Sequence, residues 1–246
     1  MDTIFIDTNS IRNKKTSSFF GNIDKYQKLS DQVQIIIPSI VVEEIKRQKK
    51  RYLNSQLNKF QENYFTKYLD IDSGEVLVQH IDEKVAALYQ GANEEISHVE
   101  LELGHQGKLQ RIKELAIGNI PPFEAETDKG FKDSYFYLTV LQYKENSTDD
   151  VFVITNDTRL KEAFNNTDIK TLTTAEEYYK YREEYFREEY FIAKLRDHFG
   201  NEAITKDCIK SIELTEDEDW QITLDIDGEH NIVIVDFVTK ELISER

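Results

Sequence analysis

Short apolar runs punctuate the first two thirds of the chain. Residues 3–6, 33–37, 151–154 and 169–172 are strand-length and mostly aliphatic, as expected for strands covered on both faces. Between them the apolar positions fall three or four apart. Val42, Ile45, Leu53, Leu57 and Phe60 follow Ser39, and Phe136, Tyr137, Val140 and Leu141 form a stripe over 133–143. Both segments are expected to be helices, the first N-capped by Ser39. Further helices are expected over 81–90, 109–117 and 158–164, and a short strand over 76–78. A polar stretch up to Gly21 reads as irregular, and Pro121-Pro122 with Gly130 marks a loop. Strands alternating with helices imply a parallel sheet with helices on both faces.

The pattern changes after residue 175. One long helix is expected to about residue 199, rich in Tyr178, Tyr179, Tyr181, Tyr185, Phe186, Tyr190 and Phe191. Flanking glutamates make core packing or a partner interface the better reading of these rings than base stacking. The sequence Arg-Glu-Glu-Tyr-Phe occurs twice, at 182–186 and 187–191. A five-residue period does not fit a helix, so the repeat reads as a local accident. Strands are expected over 209–214, 221–226 and 231–237, with Asp227-Gly228 as a turn. The expected organisation is an α/β domain over 1–175, a linking helix over 176–199, and a small antiparallel β appendage over 200–246.

Composition adds bounds. A 246-residue chain, 39% hydrophobic, supports one sizeable core and a small addition. Its 3 prolines and 9 glycines argue against long disordered linkers. The opening MDTIFIDTNS has no secretory pattern, no apolar run approaches membrane length, and the single Cys208 cannot form an internal disulfide. A cytoplasmic protein without membrane contact is expected. Net charge is −16, unfavourable for indiscriminate nucleic-acid binding. Residues 199–246 hold 13 acids and 4 bases. That surplus points the appendage towards a protein partner or a second copy of the chain. The five histidines show no metal-ligand spacing.

Four acids stand where a parallel sheet would gather them. Asp7 follows the strand 3–6, and Asp157 follows the strand 151–154 in Thr155-Asn156-Asp157. Ligands of open α/β sheets bind beyond the carboxyl ends of the strands. Glu43 and Glu44 begin the helix after the second strand, and Asp133 begins the helix after the glycine loop. Taken singly, each has an ordinary reading as a turn former, a helix cap or a solvated side chain. Gathered together, carboxylates need a counter-charge, which Mg²⁺ or Mn²⁺ supplies through oxygen ligands. One or two such ions support hydrolysis of a phosphodiester. Lys46, Arg47, Lys49, Lys50 and Arg51 follow Glu44. Their default is a solvated face; alternatively Lys46 and Arg47, with Lys132, contact phosphate. Asn9 is either a turn residue or a group that orients Asp7 or touches substrate.

These segments carry a family resemblance. Ile4-Phe5-Ile6-Asp7-Thr8-Asn9 resembles the opening of PIN domains. Ile37-Pro38-Ser39-Ile40-Val41-Val42-Glu43-Glu44-Ile45 is similar to their second acidic segment, Lys129-Gly130-Phe131-Lys132-Asp133-Ser134 to the third, and Val151-Phe152-Val153-Ile154-Thr155-Asn156-Asp157 to the fourth. The resemblance covers residues 1–175, in order. It implies a three-layer α/β/α fold and Mg²⁺- or Mn²⁺-dependent endonuclease activity, usually on RNA, with Asp7, Glu44, Asp133 and Asp157 as ligands and catalytic acids. The family pattern favours Glu44 over Glu43, because it directly precedes the aliphatic residue. Asp128 is an additional acid of unfixed position. A non-catalytic PIN-like module that binds RNA or a protein is the rival. A haloacid-dehalogenase-type phosphatase would need an aspartate where Asn9 stands, and a dinucleotide site would need a glycine-rich first turn.

Overall fold

The structure is a computed structural model that describes residues 2–13, 18–21, 23–30, 33–62, 74–95, 98–104, 108–123, 129–215, 219–236, 239 and 241–245. Tertiary contacts divide the chain into two compact units, residues 2–173 and 174–246. Among the described residues no helix is long and apolar enough to cross a membrane.

The larger unit is built on five parallel strands: β1 (Asp2–Ile6), β2 (Gln34–Pro38), β3 (Val99–Leu101), β4 (Asp150–Ile154) and β5 (Lys170–Leu172). Their order is β3-β2-β1-β4-β5. Flanking helices complete an α/β/α fold: α1 (Thr8–Ile11), α2 (Ile23–Ser30), α3 (Ser39–Gln61), α4 (Gly74–Glu95), α5 (Lys108–Ile117), α6 (Phe131–Glu145) and α7 (Thr158–Phe164). Ile4, Phe5, Ile6, Val153 and Ile154 are fully buried. Each such side chain contributes about 1.5–3 kcal/mol, so the central pair β1 and β4 is held on both faces. The chain runs outward from β1 through β2 to β3, then returns to the other side of β1 for β4 and β5. Ile6 lies opposite Ile154, so both central strands end at one level. That reversal of winding is where an open α/β sheet leaves a crevice.

Some elements differ from expectation. Residues 76–78 belong to α4 rather than to a strand. Three β-branched and aliphatic residues are too few to interrupt a helix that is already nucleated beside them. Ser39 is the first residue of α3 and caps nothing; Pro38 precedes it and no side-chain cap bond forms. β3 is three residues long and largely exposed, so it carried no apolar run to detect.

The smaller unit holds α8 (Ala175–Tyr185), α9 (Glu189–Phe199) and the antiparallel sheet β6 (Ile209–Leu214), β7 (Trp220–Ile226), β8 (Glu229–Val235) and β9 (Leu242–Glu245). The single helix expected over 176–199 is therefore two. The break explains the repeated pentapeptide. In a continuous helix Phe186 and Phe191 would point about 140° apart. Glu188 instead adopts an extended backbone and starts a new helix. Both rings are then buried, 4.9 Å apart, with Phe186 also 5.3 Å from Trp220. Trp220, Ile222 and Leu224 alternate inward on β7. Asp227 and Gly228 both take positive φ, 55° and 86°, which gives the tight two-residue turn anticipated there.

Candidate active site

Asp7 leaves β1 directly, with its N–H bonded to the Ile154 carbonyl of β4 at 3.0 Å. Its side chain is only 5% exposed. Buried Thr155 ties the two strand ends together. Its hydroxyl donates to Asp7 Oδ2 at 3.0 Å and accepts the Asp157 N–H at 3.0 Å. Asp157 N-caps α7, its Oδ1 accepting the Leu160 N–H at 2.9 Å. Glu44 sits in the second turn of α3 and accepts from Thr8 Oγ1 at 3.1 Å, Gln48 Nε2 at 3.1 Å and Lys132 Nζ. Adjacent Glu43 is exposed and pairs with Lys46 at 2.8 Å. The two glutamates are thus separated by the 100° step of the helix. Asp133 occupies the first turn of α6. All four acids line one open cleft of about 420 Å³, with Asn9, Arg12, Lys129, Phe131 and Lys132 around them.

The carboxylates feel one another. Burial pushes the Asp7 carboxyl up to about 6, aided by Asp157 and opposed by the Thr155 hydroxyl and the Thr8 and Asn9 N–H groups. Burial also raises Asp133 to about 6, and there Asp7, Asp157 and Glu44 add repulsion that Lys132 only partly offsets. Glu44 goes the other way. Burial would raise it, but Lys132, Thr8 and Gln48 together hold it below the usual glutamate value. Among the described residues no three acidic, histidine or cysteine side chains stand close enough to hold a metal in their present rotamers. The donor set is nevertheless all-carboxylate, which suits a hard divalent cation.

Gly130 sets the angle of α6. Its φ is +118°, and a Cβ there would meet Phe123 Cα at 2.6 Å and the Pro122 carbonyl at 2.9 Å. Gly130→Ala is expected to cost about 2–4 kcal/mol through combined backbone strain and overlap. A chemical denaturation midpoint unchanged from wild type would contradict this.

Residues 4–160 match the family model described as PIN domain. The chain belongs to the PIN-domain family. PIN domains are generally metal-dependent nucleases that act on nucleic acid. Comparisons with curated proteins and with solved structures find no match.

In this PIN domain the other sequence candidates divide. Asn9 is exposed at the cleft and Lys132 lies within it. Lys46 does not line the cleft; it pairs with Glu43 and lies 4.5 Å from the centre of the Tyr89 ring. Arg47 is exposed and also absent from the cleft lining. Asp128 lies outside the described residues. Lys49 departs furthest from a solvated face. It is 3% exposed and donates to the carbonyls of Ser18 at 2.7 Å and Asn13 at 3.3 Å. Its signal was available, because Val42, Ile45 and Lys49 follow the spacing of one helix face. Sequence reasoning missed Arg12, Lys129 and Thr155. Of these Lys129 and Thr155 had a cue, since each stands a few residues before an acid in one of the acidic segments.

Proposed function

We propose that this PIN domain is an endonuclease that hydrolyses phosphodiester bonds in single-stranded RNA with Mg²⁺ or Mn²⁺. The convergence of four acids from four separate segments on one cleft at the β1/β4 crevice carries the reading. Asp7, Glu44, Asp133 and Asp157 would hold one or two ions and act as the catalytic acids. When bound, the cation supplies an activated water and neutralises charge at the phosphodiester. Thr155 orients the Asp7 carboxylate, so that acid needs little rearrangement to act. The Lys132 ammonium can exchange Glu44 for a phosphate oxygen, and the Asn9 amide can donate to the same group. The acidic smaller unit is assigned to a protein partner or a second copy of the chain, because its charge repels a nucleic-acid backbone.

The test is incubation of the purified protein with end-labelled single-stranded RNA and DNA, with Mn²⁺ or with EDTA. Cleavage of RNA that requires Mn²⁺ and stops in EDTA is expected. The Lys132–Glu44 ion pair favours one rival, a non-catalytic module whose lysine has taken the place of the cation. That rival predicts RNA binding without cleavage in either condition.

A further inference from the structure

Phe131 is the feature of the cleft that carboxylate chemistry leaves unused. It is the first residue of α6 and 51% exposed. Exposed apolar residues are ordinary on any surface, so exposure alone says nothing. Location decides here. Among the described residues lining the cleft, Phe131 is the only one with an apolar side chain. Its immediate neighbours in that lining are Lys129, Gly130, Lys132 and Asp133.

The backbone that carries the ring has a firm seat. Gly130 is pressed against the Pro122–Phe123 backbone and its carbonyl accepts the Ser134 N–H at 2.7 Å. Phe123 is itself buried in a cluster with Leu103, Ile112, Leu115 and Leu138. Arg159 grips the Phe123 carbonyl through Nε at 3.2 Å and Nη2 at 2.6 Å. A backbone anchored in this way need not be ordered again when its side chain, with only two rotatable bonds, meets a flat ligand. Cations beside an exposed aromatic suit phosphates joined to bases.

We propose that Phe131 is a stacking platform for one unpaired base next to the scissile phosphate, and that it selects single-stranded over duplex nucleic acid. The proposal rests on the nuclease reading and names the residue that selects its single-stranded substrate. A duplex offers no free base face, whereas every unpaired base does. Lys129 and Arg12, both exposed, then lie where the flanking phosphates pass. Stacking is indifferent to the sugar, so this residue does not discriminate RNA from DNA.

The test uses the full chain and a fluorescent 12-nucleotide single strand. Phe131→Ala and Phe131→Leu are expected to raise KM roughly 5- to 100-fold, while Phe131→Trp stays near wild type. The kcat of Phe131→Ala and Phe131→Leu should change less than their KM does. A series of strands with one abasic position each adds a structural readout. Wild type should lose affinity sharply at a single position, and Phe131→Ala should lose nothing further there. Equal KM for Phe131→Ala and wild type, or the same abasic penalty in both, overturns the proposal. If wild type cleaves nothing, the nuclease reading fails by itself. Anisotropy of the same strands then decides the platform: a position-specific abasic penalty lost in Phe131→Ala sustains it, and equal binding or none overturns it.

Discussion

Asn in place of Asp7 is expected to reduce Mn²⁺-dependent cleavage by more than about 100-fold, beyond the 10- to 100-fold that loss of a group merely orienting a ligand costs. The same substitution should leave the metal-free protein as stable as wild type or slightly more so. Both halves follow from the environment of Asp7. Its carboxylate is buried and faces Asp157, so as an anion it opposes folding. The amide keeps the shape, and its carbonyl oxygen can still accept the Thr155 hydroxyl. It gives up the charge that a cation needs. If Asp7 served only as a structural turn, its loss would cost about 0.5–2 kcal/mol and spare cleavage. Melting temperature in EDTA and cleavage in Mn²⁺, measured on one preparation, separate the two. An active but less stable Asp7→Asn protein would refute the assignment.

Metal-free stability is expected to fall as pH rises from about 4 to about 6, against the usual behaviour of carboxylates. Asp7 and Asp133 titrate near 6 when folded and near 3.8 otherwise. Across that window the folded chain binds more protons than the unfolded one, so each rise in pH favours unfolding. For fully buried Asp7 the difference amounts to on the order of 3 kcal/mol. Glu44 has the opposite sign. Its carboxyl is depressed, so the stability it contributes is present above its unfolded value and is lost only in stronger acid. A higher melting temperature at pH 5 than at pH 7.5 is therefore expected in EDTA. Excess Mn²⁺ should reverse the slope, because only deprotonated carboxylates ligate it. The net charge of −16 adds a general repulsion with the same trend. Asp7→Asn isolates the local part, and a pH slope identical in mutant and wild type would show that burial does not raise the Asp7 carboxyl.

The sheet was legible because its central strands are covered on both faces. Residues 3–6 and 151–154 read as buried strands, and the acids after them followed from topology. β3 was not legible, since an exposed edge strand of three residues has no apolar signature. The charge run after Glu44 misled for a related reason. Composition reports charge but not burial, and Lys49 is buried by the loop carbonyls it binds. The pentapeptide at 182–191 was misread because a period foreign to a helix was treated as noise. It marked the place where the helix stops, Phe186 and Phe191 each entering the same core from a different helix. Arg12, at the end of α1, and Phe131, at the start of α6, belong to the cleft through the placement of helix ends, which no periodicity records.

The pairing of β1 with β4 also sets a clock. Thr155 and Asp7, which share a hydrogen bond, are 148 positions apart in the chain. At roughly 5–20 residues per second of synthesis, β4 appears some 7–30 s after Asp7. Until then β1 has only β2 to pair with, one of its edges is open, and the crevice has a single wall. The acids near the amino end therefore wait for a strand made much later. A nascent or truncated chain ending before β4 lacks Asp157 and cannot assemble the four-acid cleft.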